Sequence, residues 1–449
     1  MPRRNLYLLL VICLISAFCY RKADSAHRSR YGRMFDTFVQ ILEEVEENYV
    51  EKVDDRELFE AALDGMVNQL DENSRYLNPG EATRQEQNLS QEFPGIGIEV
   101  MFNRESQTLE VVMPLPGSPA AEAGMLAGDT IIEIDGEDVT GLTNETFDAA
   151  VRRVRGKEKS KVKLKVVHAG AREPVEMSIE RAFIQVKAVL GDRRKPNGEW
   201  EFMLPGEDKL GYVRLTGFGR NVVKEMKDTL ADLKRQGMRG LIIDLRNNGG
   251  GLLEGAVEIC NLFVDQGRVV RVKYRDDARD QFFDAAGSAP YADLPLAVLI
   301  NDRSASASEI VAACLQDHHR ATIVGERSFG KGTVQEIRKL EEGRSALKLT
   351  IATYWRPSDR NIHRGRKAKE TDEWGVVPDA GYEVKLTLDQ EREIAQARRE
   401  RESGKAVKPK GDGEPVKNTD PPPLADPVLE KGIAAIKQRL TEKSAATAN

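Results

Sequence analysis

The feature that most restricts how this chain folds is an order of apolar strand and apolar helix repeated between residues 241 and 325. LIIDLR (241–246) is a run of the kind a strand covered on both faces shows, and NNGGG (247–251) turns it into a helix bearing Leu253, Val257, Cys260 and Val264. LAVLIN (296–301), SASASEIVAACLQD (304–317) and ATIVG (321–325) repeat the order strand, helix, strand. Parallel strands need long crossovers, and helices that return across the sheet bury its faces, so the pattern predicts an α/β core. The helix NVVKEMKDTLADLKRQG (221–237) precedes it, with Val223, Met226, Leu230 and Leu233 on one face and Gly237 as its stop.

With 449 residues, 40% of them hydrophobic, the chain has room for several domains. Residues 33–78 carry helical spacing at Phe35, Phe38, Ile41 and Val45, then at Leu58, Ala62 and Met66, which predicts a helical segment for packing or homodimer contact. Before it, MPRRN supplies positive charge and LYLLLVICLISAFCY is an apolar run of fifteen that stops at Arg21 and Lys22. That length falls short of the roughly 20 residues of a spanning helix, so residues 1–26 read as an export signal or N-terminal membrane anchor, and the expected location is the periplasm or cell envelope. Cys13 and Cys19 belong to that segment; Cys260 and Cys314 lie in apolar helical patterns and read as core thiols, with a disulfide pair as the alternative. The net charge of −6, with acids and bases intermixed, gives no reason to expect nucleic acid, and no metal-ligand spacing or cofactor motif appears. Residues 399–426 are rich in Pro, Gly and charge and read as a flexible linker, followed by a helix at 427–441.

Between 92 and 182 the pattern changes to short strands and glycine turns. KVKLKVV (161–167) alternates lysines with Val162, Leu164 and Val166, and NETFDAAVRRVRG (144–156) places Phe147, Val151 and Val154 on one helix face. Together with FPGIGIEV (93–100) and GSPAAEAGMLAGDTIIEIDGEDV (117–139), this stretch resembles a PDZ domain. Glycine lets successive backbone N–H groups of Gly95, Ile96 and Gly97 turn toward one point, where a peptide's terminal carboxylate docks while its last residues add a strand.

Three serines at alternate positions in SASASE (304–309) raise the question of which one does chemistry and what takes its proton. Of the five histidines, His27 is near the export segment, His168 ends a strand, and His318 and His319 close a helix; His363 lies in the polar RNIHRGRK (360–367). The remaining base is a lysine. FGKGTVQ (329–335) sets Lys331 between two glycines behind Phe329, expected to form an apolar wall. Lowering a lysine from about 10.4 to about 7 takes on the order of 4 to 5 kcal/mol, which burial supplies.

SASASE followed by FGKGTVQ resembles the carboxy-terminal processing, or tail-specific, proteases. That resemblance implies an α/β Ser/Lys protease core at 183–398 with an inserted PDZ domain, a nucleophile at Ser306, a base at Lys331 and a lysine-supporting Gln335, acting on protein or peptide substrates with a free C-terminus. Ser306 at a helix start suits the reading, because unpaired N–H groups there favour a developing oxyanion. Ala307 is one donor, and Gly249 or Gly250 the second. Ser304 and Ser308 read as cap or packing hydroxyls. The turn in LTIATYWRPSDRNIH (349–363) departs from the family in Arg356 and Asp359, and Arg155, ending the PDZ helix, is placed to pair with the protease core and so sense a bound peptide, or to lie solvated on the surface.

Two rival readings follow from the same residues. GERSFGK (325–331) meets the first seven positions of a phosphate-cradling loop, with Asp244 posing as a magnesium ligand, but Gly332 stands where that loop needs Ser or Thr. The other is a catalytically silent PDZ peptide-binding scaffold in which the dyad is never aligned.

Overall fold

Alternation along the central strands decides the architecture. In the computed structural model, which describes residues 15–16, 32–103, 106–195, 198–206, 208–365, 367–369, 371–402 and 425–448, the chain forms two compact units, Met1–Glu81 with Glu336–Leu349 and Ala82–Gln335 with Thr350–Asn449. Most of the export or anchor segment and the 403–424 part of the expected linker lie outside the described residues. Among the described residues no helix is long and apolar enough to cross a membrane, and no cluster of His, Cys, Asp and Glu is placed to hold a metal.

The first unit holds helices α1 (Gly32–Asn48) and α2 (Asp55–Asn68) and strand β1 (Arg75–Leu77), which pairs antiparallel with Ala346, Leu347 and Lys348. Asp54 starts α2 by accepting the N–H groups of Arg56 and Glu57, two donors with no partner inside the helix. The Arg56 guanidinium grips both Glu341 oxygens at 2.6 and 2.7 Å.

After a helix at Pro79–Ser90, the second unit holds β2 (Glu92–Gly95), β3 (Ile98–Asn103), β4 (Thr108–Pro114), β5 (Thr130–Ile134), α3 (Asn144–Val154), β6 (Lys161–Val167), β7 (Val175–Glu180) and β8 (Ala182–Gln185). Strands β3 to β7 form an antiparallel sheet in sequence order, and β2 pairs with β8. Val162, Leu164 and Val166 of β6 are buried with Ile96, Leu109, Ile131 and Ile134, while the intervening lysines face out, the period-2 pattern of a half-buried strand.

There follow β9 (Val189–Leu190), β10 (Leu210–Leu215), α4 (Val222–Arg235), β11 (Gly240–Asp244), α5 (Leu253–Cys260), β12 (Arg268–Tyr274), β13 (Leu296–Ile300), α6 (Ala307–Asp317), β14 (Ala321–Gly325), β15 (Thr333–Leu340), β16 (Ser345–Trp355), α7 (Leu388–Glu402) and α8 (Pro427–Ala448). The central sheet runs β9-β10-β11-β13-β14, with β10, β11, β13 and β14 parallel. Alternate strand residues face opposite ways. Val213, Leu241, Ile243, Val298 and Ile323 pack with α4, α5 and α6, whereas Tyr212, Ile242, Ala297, Leu299 and Val324 pack with Val428, Leu429 and Ile436 of α8. Both faces are covered, hence the apolar runs. Cys260 and Cys314 are buried free thiols.

Helix α7 runs to Glu402, four residues into the stretch expected to be linker. Arg401 and Glu402, at the start of that stretch, pair with Asp192 and Arg214.

Candidate active site

Strands β11 and β13 are parallel neighbours, so the loops leaving their C-terminal ends meet at one edge of the sheet, where α/β folds place their ligands. Two of the three serines fasten those loops together. Ser304 Oγ donates to the Leu245 carbonyl at 2.8 Å and accepts the Asn301 N–H at 2.9 Å; Ser308 Oγ donates to the Asn248 carbonyl at 2.9 Å. Both are wholly buried.

The middle serine is held differently. Ser306 has φ 56° and ψ −116°, a conformation that side-chain-bearing residues rarely adopt and that surrounding contacts must impose. A strand-to-helix turn of this kind lifts a nucleophile out of the chain, as in the nucleophile elbow of other hydrolases. Gly250, at φ +98°, lies directly against it: a Cβ there would stand 2.7 Å from Ser306 Cβ and 3.0 Å from the Ala307 nitrogen. A Cβ on Gly249 would meet nothing within 4 Å. Gly250 is thus the glycine of the pair that packs on Ser306; its own N–H donates to Asn248 Oδ1 at 2.9 Å. Ala307 is the first residue of α6, where an N–H has no intrahelical acceptor.

Glu309 was not singled out by the sequence reading, and it organises the site. Its carboxylate is wholly buried and accepts four hydrogen bonds. Oε1 takes Ser328 Oγ–H at 2.5 Å and the Gly330 N–H at 2.7 Å, while Oε2 takes the N–H groups of Ser306 and Lys331, each at 2.8 Å. The last two donors share one oxygen, so the Ser306 and Lys331 backbone nitrogens lie no more than twice 2.8 Å apart. Burial pushes the Glu309 carboxyl up to about 7, against the pull of all four donors.

The Lys331 segment is braced from its other side. Gly330, at φ +86°, leaves no room for a Cβ beside Trp374 and Arg364, and the Arg364 N–H donates to its carbonyl at 2.8 Å. A Cβ on Gly332 would collide with the His363 backbone at 2.3 Å. Lys331 itself is half-buried. Phe329 is 51% exposed, so the expected wall is not its ring; the aromatic buried against this segment is Trp374, between Arg327 and Arg364. Gln335 Nε2 donates to Thr333 Oγ1 at 2.8 Å and Thr350 Oγ1 at 3.2 Å, which fixes the amide and dedicates its Oε1 to accepting.

Beneath the Asn247–Gly251 turn lies a buried ion cluster. The Arg246 guanidinium bonds Asp244 at 2.9 and 2.7 Å and Asp426 at 2.9 and 2.7 Å, with Tyr212 Oη and Arg398 completing Asp244. Asp426 also accepts the N–H groups of Val428 and Leu429 and so starts α8. The helix that covers one sheet face is thereby tied to the loop beside Ser306. Arg356 serves the far end of α6, holding Asp317 and Gln316.

In the antiparallel domain, Gly95, Ile96 and Gly97 line a groove between β3 and α3, with Phe93, Phe147, Val151 and Arg155. Ile96 and Gly97 give their carbonyls to the N–H groups of Ala120 and Leu115, and Gly97, at φ +77°, packs so tightly on Ser118 that a Cβ would come within 2.3 Å. Arg155 is exposed; it lines the groove and stacks on the Phe93 ring at 4.8 Å.

Fold and site together define a PDZ-bearing peptidase. Residues 209–380 match peptidase family S41, 110–168 a PDZ domain, and 18–79 the N-terminal domain of the activating protease CtpB. The carboxyl-terminal-processing protease of Synechocystis is 36% identical over 76% of this chain and 75% of its own length. That of Bartonella bacilliformis is 38% identical over 72% and 71%, and carboxy-terminal processing protease CtpA of Bacillus subtilis 33% over 74% and 67%. A solved photosystem II D1 C-terminal processing protease is 30% identical over 78% of this chain and 86% of its own, with a TM-score of 0.41. The chain belongs to the carboxy-terminal processing protease family.

Proposed function

We propose that this protein is an exported serine endopeptidase that captures unstructured C-termini on its PDZ domain and hydrolyses peptide bonds through an acyl-enzyme on Ser306. The observation that carries this reading is the shared Glu309 oxygen, which sets Ser306 and Lys331 side by side from segments 25 residues apart in the chain. Lys331, as neutral amine, takes the Ser306 proton, passes it to the leaving amine and then activates water; the rate therefore rises from neutral into alkaline pH. Gln335 Oε1 steadies the lysine. Ala307 and Gly250 supply oxyanion donors, Gly250 by exchanging its bond to Asn248.

Gly95, Ile96 and Gly97 receive the tail carboxylate. Export, with or without a retained membrane anchor, rests on the charge and apolar run of residues 1–26. Two copies meet through the N-terminal helices, where Met34, Phe35, Ile41 and Met66 expose more than half their surface.

A quenched fluorescent peptide with a free C-terminus tests the reading. Cleavage by the parent chain should fall by about 10⁴-fold or more in Ser306→Ala and in Lys331→Ala, with tail binding intact. Cleavage at parental rate in both variants would defeat it. Amidating the peptide's terminus should weaken PDZ binding; equal affinity would remove the carboxylate site.

A further inference from the structure

Asn248 joins the loop of the nucleophile to the loop of the oxyanion donor. It is wholly buried in the Asn247–Gly251 turn, and both ends of its amide are used. Nδ2 donates to the carbonyl of Leu215, the last residue of β10, at 2.8 Å, and Oδ1 accepts the Gly250 N–H at 2.9 Å. Turning the amide over would set its N–H₂ against an N–H and its oxygen against a carbonyl, so only this orientation is satisfied. The main-chain carbonyl of Asn248 accepts the Ala305 N–H at 3.0 Å and the Ser308 Oγ–H at 2.9 Å, one partner on each side of Ser306. Gly250 in turn lies so close to the serine that a Cβ there would stand 2.7 Å from Ser306 Cβ and 2.8 Å from the Ala305 carbonyl oxygen.

The Gly250 N–H is therefore bonded in the resting chain, and to a neutral oxygen. A substrate carbonyl is an acceptor of the same kind. Taking the N–H from Asn248 would replace one neutral bond by another and leave a buried oxygen without its donor, so the bound substrate gains nothing from the exchange. An oxyanion accepts a charge-assisted bond of about twice the strength, and for it the exchange is favourable. The donor thus becomes available as negative charge develops, and an interaction made only in the transition state raises kcat without lowering KM. The bond to Leu215 keeps the amide in place throughout, ready to take the N–H back once the acyl-enzyme carbonyl re-forms.

Resting on the Ser306 nucleophile and the Gly250 donor assigned above, we infer that Asn248 is a positioning residue, whose neutral amide oxygen holds the Gly250 N–H at rest and yields it to the oxyanion alone.

Asn248→Asp in the full chain separates this role from packing, because it keeps the shape and changes the acceptor. Ionised, the carboxylate grips the N–H as firmly as an oxyanion would, faces the Leu215 carbonyl with no donor and repels the developing charge. Protonated, it again offers Leu215 a donor and Gly250 a neutral acceptor. On a tail-bearing peptide, kcat should fall about a hundredfold to a thousandfold in alkaline solution with KM unchanged, and the ratio of variant to parental kcat should recover as pH falls. A ratio that does not vary with pH, or a loss carried by KM, would overturn the proposal. A second measurement needs no variant: the Gly250 amide proton is followed by NMR in the parent chain before and after a fluorophosphonate probe modifies Ser306, the phosphoryl oxygen then standing in for the oxyanion. That signal should move downfield. If Ser306 is modified and the signal stays where it was, Gly250 does not exchange its bond and the role of Asn248 falls while the nucleophile stands; a parent chain that does not take the probe at Ser306 would remove the nucleophile assignment and the proposal with it.

Discussion

Two buried carboxylates stand behind the same loops and are satisfied in opposite ways. Glu309 meets three backbone N–H groups and one hydroxyl; Asp244 meets two arginines and a tyrosine. Burial raises both. For Glu309 the neutral donors fall short of offsetting it, and its carboxyl ends near 7; for Asp244 the charges of Arg246 and Arg398 and the Tyr212 hydroxyl prevail and hold it well below the usual carboxylate range. The contrast separates two tasks. Neutral donors fix backbone to within hydrogen-bond tolerance, which suits a nucleophile and its base. Paired ions bind segments distant in sequence, here the Asn247–Gly251 turn and α8, and do so at any pH a protease meets.

The largest effect should come from breaking the ionic side. Asp426→Ala leaves Arg246 half-paired in a dry site, and unfolding in urea should show a loss of roughly 3–5 kcal/mol. A loss below 1 kcal/mol would mean that the cluster does not tie α8 to the core. Next in size, Glu309→Gln turns an amide N–H₂ against backbone N–H donors; kcat should drop about a hundredfold through misplacement of Ser306 and Lys331, with PDZ tail affinity unchanged. An unaltered kcat would show that the clamp is dispensable.

The two carboxylates should also give opposite pH signatures. Glu309, raised in the fold from 4.5 to about 7, contributes stability that is full below about 4.5 and lost as pH rises through 7, so Glu309→Gln should gain on the parent by roughly 2–3 kcal/mol between pH 5 and 8. Asp244, depressed in the fold, contributes stability that is present above the ordinary carboxylate range and lost only in acid. Urea titrations across pH check both signs. Smallest of all is the partly exposed Arg303–Glu391 pair of α7, where Glu391→Gln should change stability by about 0.5 kcal/mol or less and less still in high salt.

Much of this was legible in the sequence, for local reasons. Apolar runs at 241–246, 296–300 and 321–325 report strands covered on both faces, and the lysine alternation in 161–167 reports a strand covered on one. The motif pair singled out Ser306 and Lys331 through its resemblance to the family; in the fold Ser306 takes φ 56° and Lys331 follows Gly330 at φ +86°. Glu309 was missed although its signal was present: Ser306-x-x-Glu309 has the spacing of a capping box, whose fourth residue reaches back to the first residue's N–H. What was not legible were its other three donors, from Ser328, Gly330 and Lys331, or the joining of Asp426 to Arg246. Those contacts depend on which strands become neighbours. The expected linker begins at 399 because the Pro, Gly and charge that follow carry no apolar periodicity; Arg401 and Glu402 join the packed helix through partners on other elements, which the local sequence does not show.

The central claim is that Glu309 holds a serine and a lysine as one reacting pair. The most direct measurement is the pH dependence of fluorophosphonate labelling at Ser306 in the parent, Lys331→Ala and Glu309→Gln chains. The parental rate should climb from neutral into alkaline pH, with no labelling without the lysine amine and slow labelling when the clamp is an amide. Equal labelling of all three at every pH would contradict it.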